Sequence, residues 1–135
     1  MTAYITALAA FLPGKPIAND QIDDYLGEVD RISARTRRMI LASNGIQTRH
    51  YAIDPLTGEP THTNAQLAAE AVRQLCAARG ISPSALHCLC CGTSAPDQLM
   101  PGHATMVHGE LANGPCEVVS TAGICLTGVS ALKYA

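Results

Sequence analysis

"CEVVSTAGICLTGVSALKYA", residues 116–135, decides how the chain is read. Its opening is β-branched and apolar around one glutamate, as in a strand. "TAGI" then supplies small residues and a glycine, the composition of a tight turn. From about Leu126 the apolar residues recur at helical spacing. A strand, a sharp turn and a helix therefore meet at Cys125, two residues after Gly123 and three before Gly128. A thiol at such a place lies near a helix N-terminus, where unpaired backbone N–H groups and the helix dipole favour a thiolate. The same N–H groups can hold negative charge developing on a carbonyl oxygen under attack. Free cysteine is also one of the most buried residue types. Spacing alone leaves nucleophile and packed thiol both open, and no nearby histidine is placed by sequence to serve as a base.

Working outward, "CCGTSAPDQLMPGHA" and "PGHATMVHGELA" precede this unit. "ALHCLCCGT" (85–93) is a short apolar run closed by glycine, which suits a strand buried on both faces, and 101–112 reads as a helix. The clearest helix starts at Asn64: Leu67, Ala68, Ala71, Val72, Leu75 and Cys76 recur at helical spacing, Gly80 ends it and Pro83 prevents resumption. Residues 54–63, "DPLTGEPTHT", form a polar turn-rich loop. Before them, "IQTRHYAI" alternates as a strand, about 33–43 is helical up to Asn44-Gly45, and "NDQIDDYLG" is a short helix with Asn19 as N-cap and Gly27 as stop. "AYITALAAFLP" (3–13) reads as a buried strand stopped by Pro13-Gly14. Strands alternating with helices imply a parallel or mixed sheet with helices on its faces. The last helix reaches residue 135 without a cap or polar tail, which suggests a fragment.

Composition narrows the partners. With 47% apolar residues in 135, the chain has enough apolar surface for one packed domain. A formal charge of -2 gives no electrostatic case for nucleic acid or an anionic membrane. No apolar run has the roughly 18 residues of a membrane-spanning helix, and "MTAYITALAAFLPGKP" lacks a basic leader and a cleavage site, so a cytoplasmic location is expected. Six cysteines could suggest disulfides, but Cys88, Cys90 and Cys91 are crowded into one apolar run. Reduced, buried thiols fit that pattern better.

Three other groups of residues compete for chemistry. His87, Cys88, Cys90 and Cys91, with Cys76, Cys116, His103 and His108, carry donors that a metal accepts. Neighbours on a strand point to opposite faces, and His103 and His108 are five apart on a helix, so no metal site is expected. Arg31, Arg35, Arg37 and Arg38 make the main basic cluster, suited to a phosphate, an acidic carrier protein, or simply a solvated helix face. Asp97 reads as a turn or cap residue more readily than as an acid or base.

Taken in order, "FLPGKPIAND", "NGIQTRHYA", "NAQLAAEAVRQLCAARGI", "CCGTSAPDQLMPGHA" and "STAGICLTGVSALKYA" resemble the N-terminal part of the thiolase-fold condensing enzymes, β-ketoacyl-acyl-carrier-protein synthase III in particular. The resemblance implies an α/β, thiolase-like, layered α/β/α/β/α architecture, with residues 1–135 supplying most of an N-terminal thiolase-like domain and the C-terminal half absent. It makes Cys125 the catalytic acyl-accepting nucleophile, with its backbone N–H in the oxyanion hole. It makes Met100 a substrate-binding residue that reaches across a dimer interface into the partner's acyl pocket.

The implied reaction transfers an acyl group from an acyl thioester, on a carrier protein or coenzyme A, to Cys125. Decarboxylative Claisen condensation with a malonyl carrier protein follows, as in fatty-acid or polyketide biosynthesis. No cofactor is implied, and a homodimer is. Met39 and Ser43 stand where the family often has a Trp and an Arg that hold coenzyme A, which leaves carrier-bound or unusual acyl donors open. Leu126-Thr127-Gly128 replaces the common Ala-Gly-Phe after the nucleophile, so a differently shaped pocket is expected. The family's catalytic histidine and asparagine lie in a second half, so 135 residues alone are expected neither to condense nor to fold as a stable monomer. Two alternatives remain: an acyltransferase on the same fold without condensation, and a non-catalytic partner subunit.

Overall fold

The computed structural model describes residues 2–27 and 32–135, in two compact units. Arg31 of the basic cluster lies outside the described residues. Among the described residues, no helix is long and apolar enough to cross a membrane.

One unit, residues 12–61, is small. β1 (Ile17–Ala18) pairs antiparallel with β2 (Thr48–Arg49), and Ile17 is fully buried between them and their surroundings. A 3₁₀ turn over Asn19–Gln21 leads into α1 (Ile22–Leu26), which Gly27 ends at φ 73°. Asn19 is therefore not the N-cap expected of it. Its amide donates to Ile46 O (3.0 Å) and its carbonyl accepts from Arg49, so the side chain ties two distant segments instead. α2 (Ala34–Ser43) starts where expected, on Ser33, whose Oγ accepts from Thr36 N.

The other unit holds residues 62–135 together with the chain up to residue 11. α3 (Asn64–Arg79) is opened by a reciprocal cap: Thr63 Oγ1 accepts from Gln66 N (3.1 Å) and Gln66 Oε1 from Thr63 N (3.0 Å). Gly80, in the left-handed region at φ 64°, closes it. β3 (Cys88–Thr93) and β4 (Glu117–Ala122) pair in parallel, Cys88 opposite Glu117 through Thr93 opposite Ala122. α4 (His103–Leu111) is the crossover between them, and α5 (Thr127–Tyr134) follows β4. Side chains alternate across the ladder. Leu89 and Cys91 face α3 and α4, where Ala65, Ala69, Val107 and Leu111 complete the core. Cys88, Cys90 and Gly92 face the other way, where Gly92 meets α5. Burial of Leu89, Val107 and Leu111 in that core contributes roughly 1.5–3 kcal/mol each.

Two further sequence expectations fail here. Residues 3–13 form no strand, and Tyr4 and Leu8 are 80% and 86% exposed. A strand needs a neighbouring edge for its N–H and C=O groups, and none of the described strands pairs with this run. β3 is not buried on both faces either: Leu89 alone in it is buried, because the α5 side covers Cys88 and Cys90 incompletely.

Candidate active site

The turn from β4 into α5 carries Cys125. Gly123 sits at φ 149°, a backbone conformation that favours glycine, and a Cβ there would press on Thr127 Cγ2 at 3.4 Å. Leu126 is the N-cap of α5 and has no side chain capping the helix; Ser130 N donates to Leu126 O (2.9 Å) to close the first turn. The backbone N–H groups ahead of Ser130 in that first turn have no acceptor within the helix itself. Cys125 stands one residue before this cap and is exposed, so a reagent can reach its sulfur.

Two contacts fix the turn. Thr121 Oγ1 donates to Thr127 O (2.8 Å), bracing the helix start on β4. On β3, Gly92 lets the α5 backbone come so close that a Cβ would lie 2.5 Å from Thr127 O and 2.9 Å from Gly128 N. Backbone cannot move aside as a flexible side chain would, so this position admits only glycine if α5 keeps its place.

Met100 lies in the loop from β3 to α4, beside a cis bond to Pro101, and is 84% exposed. Asp97 anchors that loop. Its Oδ1 accepts from Asn64 N (2.7 Å) and its Oδ2 from Ala65 N (2.9 Å), while Asn64 Nδ2 donates to Ala95 O. The carboxylate thus caps α3 from a distant segment, where negative charge also complements the dipole. The cap reading of Asp97 holds. At the other end of the loop, Ser120 Oγ accepts from Ala104 N (2.8 Å), capping α4 from β4. Sequence reasoning missed Gly92 and Ser120, because each acts on a segment many residues away.

The rival groups separate. Among the described residues, no three His, Cys, Asp or Glu side chains come together as metal ligands. Cys88 and Cys90 share a face with sulfurs 3.4 Å apart, and Cys91 lies opposite in the α3–α4 core. The hydrogen bond to Cys90, with burial, pushes the Cys88 thiol up. Burial, helped by Cys90, pushes Cys91 up to about 11. His108 Nε2 is 3.1 Å from Gly114 O, and His103 is buried at the start of α4 with Nδ1 unpartnered among the described residues. Of the arginines, Arg37 pairs with Asp23, and Arg35 and Arg38 are exposed on α2. Met39 is exposed on the same helix, and Ser43 Oγ donates to Ile40 O (2.8 Å).

No family model matches the chain. It is 29% identical over 134 residues to β-ketoacyl-[acyl-carrier-protein] synthase III of Hyphomonas neptunium, an alignment covering 98% of this chain and 37% of that protein. The corresponding enzyme of Rhodobacter capsulatus is 30% identical, again over 98% of this chain and 37% of its own length. Among solved structures, a tetronic acid condensing enzyme superposes with a TM-score of 0.77 at 30% identity, covering 95% of this chain and 38% of that one. The chain has the thiolase-like fold of the condensing enzymes. It spans a little over a third of the length of the relatives it matches. The β-ketoacyl synthase resemblance read from the motif order therefore extends over nearly all of this chain's residues.

Proposed function

We propose that residues 1–135 are the N-terminal thiolase-like domain of a β-ketoacyl-acyl-carrier-protein synthase III-like enzyme, with Cys125 as its nucleophile. The observation that carries the reading is the placement of this exposed thiol in a glycine-bearing turn, next to the uncapped N-terminus of α5. The Cys125 sulfur attacks the carbonyl carbon of an acyl thioester, and the oxyanion is held by the Cys125 backbone N–H. Collapse expels the carrier thiol, which takes a proton, and leaves the acyl group on Cys125. A malonyl carrier protein then loses carbon dioxide, and its carbanion attacks the acyl carbon. The carbon–sulfur bond to Cys125 breaks and a β-ketoacyl thioester leaves. The histidine and asparagine that assist decarboxylation belong, on this reading, to a part of the enzyme outside these residues.

Met100, exposed on a loop held at both ends, lines the acyl pocket of a second copy in a cytoplasmic homodimer. Met39 and Ser43 in place of a tryptophan and an arginine favour a carrier-bound acyl donor over coenzyme A. The names of the relatives, a β-ketoacyl synthase and a tetronic acid condensing enzyme, support condensation over simple transfer.

The test uses the full-length natural protein. Incubation with an acyl thioester should add one acyl mass to the peptide containing Cys125, and Cys125→Ala should abolish that adduct. Subsequent malonyl carrier protein should release the acyl group as a β-keto product. An adduct discharged only to amines or alcohols points to a plain acyltransferase. No adduct at Cys125 points to a non-catalytic subunit, and either result overturns the reading.

A further inference from the structure

Cys88 and Cys90 lie outside the chemistry assigned to Cys125. They sit two apart on β3, on the face turned toward α5, with sulfurs 3.4 Å apart and both residues half-buried. Across the ladder, Glu117 faces Cys88, but its carboxylate is engaged: Tyr134 Oη donates to Glu117 Oε1 at 2.6 Å. The soft donors of this patch are therefore the two sulfurs.

Their geometry is wrong for a disulfide. Two residues of extended strand separate Cα atoms by about 6.6 Å, and parallel side chains keep the Cβ atoms about as far apart. A disulfide needs Cβ atoms about 3.5–4.5 Å apart. The sulfurs meet only because each side chain leans toward the other, and closing them to bonding distance would bend the ladder that fixes Cys88 opposite Glu117 and Cys90 opposite Val119. A single larger atom bonded to both sulfurs meets no such obstacle. Thiolates select soft ions. Cys91 is no substitute, since it points to the opposite face and packs in the core.

We propose that Cys88 and Cys90 form a dithiol site on β3 that binds a thiophilic centre through both sulfurs, of the class represented by trivalent arsenicals. With phenylarsine oxide, two As–S bonds form, the As–O bond is lost, and the oxide leaves with both thiol protons as one water. Arsenic stays trivalent, so no oxidant or reductant is needed. The site is independent of Cys125 and of the condensation reading.

The experiment titrates the intact, reduced protein with phenylarsine oxide in excess monothiol, and follows adduct mass with differential alkylation of every cysteine. The expected result is one arsenical per chain, reversed by a dithiol but not by the monothiol, with Cys88 and Cys90 protected together. Cys88→Ala and Cys90→Ala should each weaken binding on the order of a hundredfold, the loss expected when a two-point attachment becomes one-point. Cys125→Ala should leave it unchanged. Protection mapping on unsubstituted protein keeps the test valid if either variant misfolds. Protection of Cys90 with Cys91, protection of any other pair, or no dithiol-reversible adduct overturns the proposal.

Discussion

A single missing methyl group decides where the turn bearing Cys125 sits. Because a Cβ on Gly92 would lie 2.5 Å from Thr127 O, Gly92→Ala must displace α5 from β3 or strain both backbones. Overpacking of this kind costs about 1–3 kcal/mol. The expected outcome is a lower Tm together with a changed rate of Cys125 alkylation, whereas a structurally neutral site would move neither. Cys91 gives a second prediction. Its thiol ionises near pH 11 in the fold against an ordinary 9.0, so between those values the unfolded chain releases a proton that the folded chain keeps. The unfolded state then binds fewer protons, and stability falls as pH rises from about 9 to 11. Urea denaturation at pH 8 and pH 10.5 should show that loss, and Cys91→Ala should reduce it, leaving the part that the raised Cys88 thiol contributes. Neither property was legible in the sequence. Gly92 reads there as the end of an apolar run, and only the crossing of α5 reveals what its absent side chain permits.

Elements in the 62–135 unit were legible because local and tertiary signals agree. α3 has helical periodicity, a capping residue before it and Gly80 after it, and β4, the turn and α5 follow from composition alone. The run at 3–13 misled, since apolar β-branched content describes strands that already have a partner edge. Asn19 misled for a related reason: a good cap residue was recruited by Ile46 and Arg49, about thirty positions away. Long-range caps predict specific losses. Asp97→Ala removes both acceptors for Asn64 N and Ala65 N, and Ser120→Ala removes the acceptor for Ala104 N. Each should destabilise by about 1 kcal/mol, with the urea midpoint shifted and the slope unchanged. Asp97→Ala should in addition speed amide exchange in the first turn of α3 and proteolysis of the loop bearing Met100. An unaltered loop would show that Asp97 caps a helix without anchoring the segment.

At the scale of the chain, apolar surface is the unsolved term. Leu8, Ile124 and Leu126 are 86%, 84% and 71% exposed, and Tyr4, Ile5, Val129 and Leu132 are exposed in the same unit. Scattered exposed apolar residues are ordinary, but four of these crowd into residues 124–132, around the proposed nucleophile. Leaving Leu126, Val129 and Leu132 in water is unfavourable, while the helix that Leu126 caps and that carries the other two is held to the sheet by Gly92, Thr121 and Tyr134. If residues 1–135 are one domain of a longer enzyme, further chain covers this surface; expressed alone, the 135 residues have only another copy to bury it against. The isolated chain should therefore self-associate in sedimentation velocity and bind an apolar dye. Leu126→Lys with Leu132→Lys should reduce both effects without loss of helical circular dichroism, because neither side chain belongs to the buried core. A chain that sediments as a monomer and leaves the dye dark would show that this surface is tolerated as it stands. It would also remove the physical reason for expecting a covering domain.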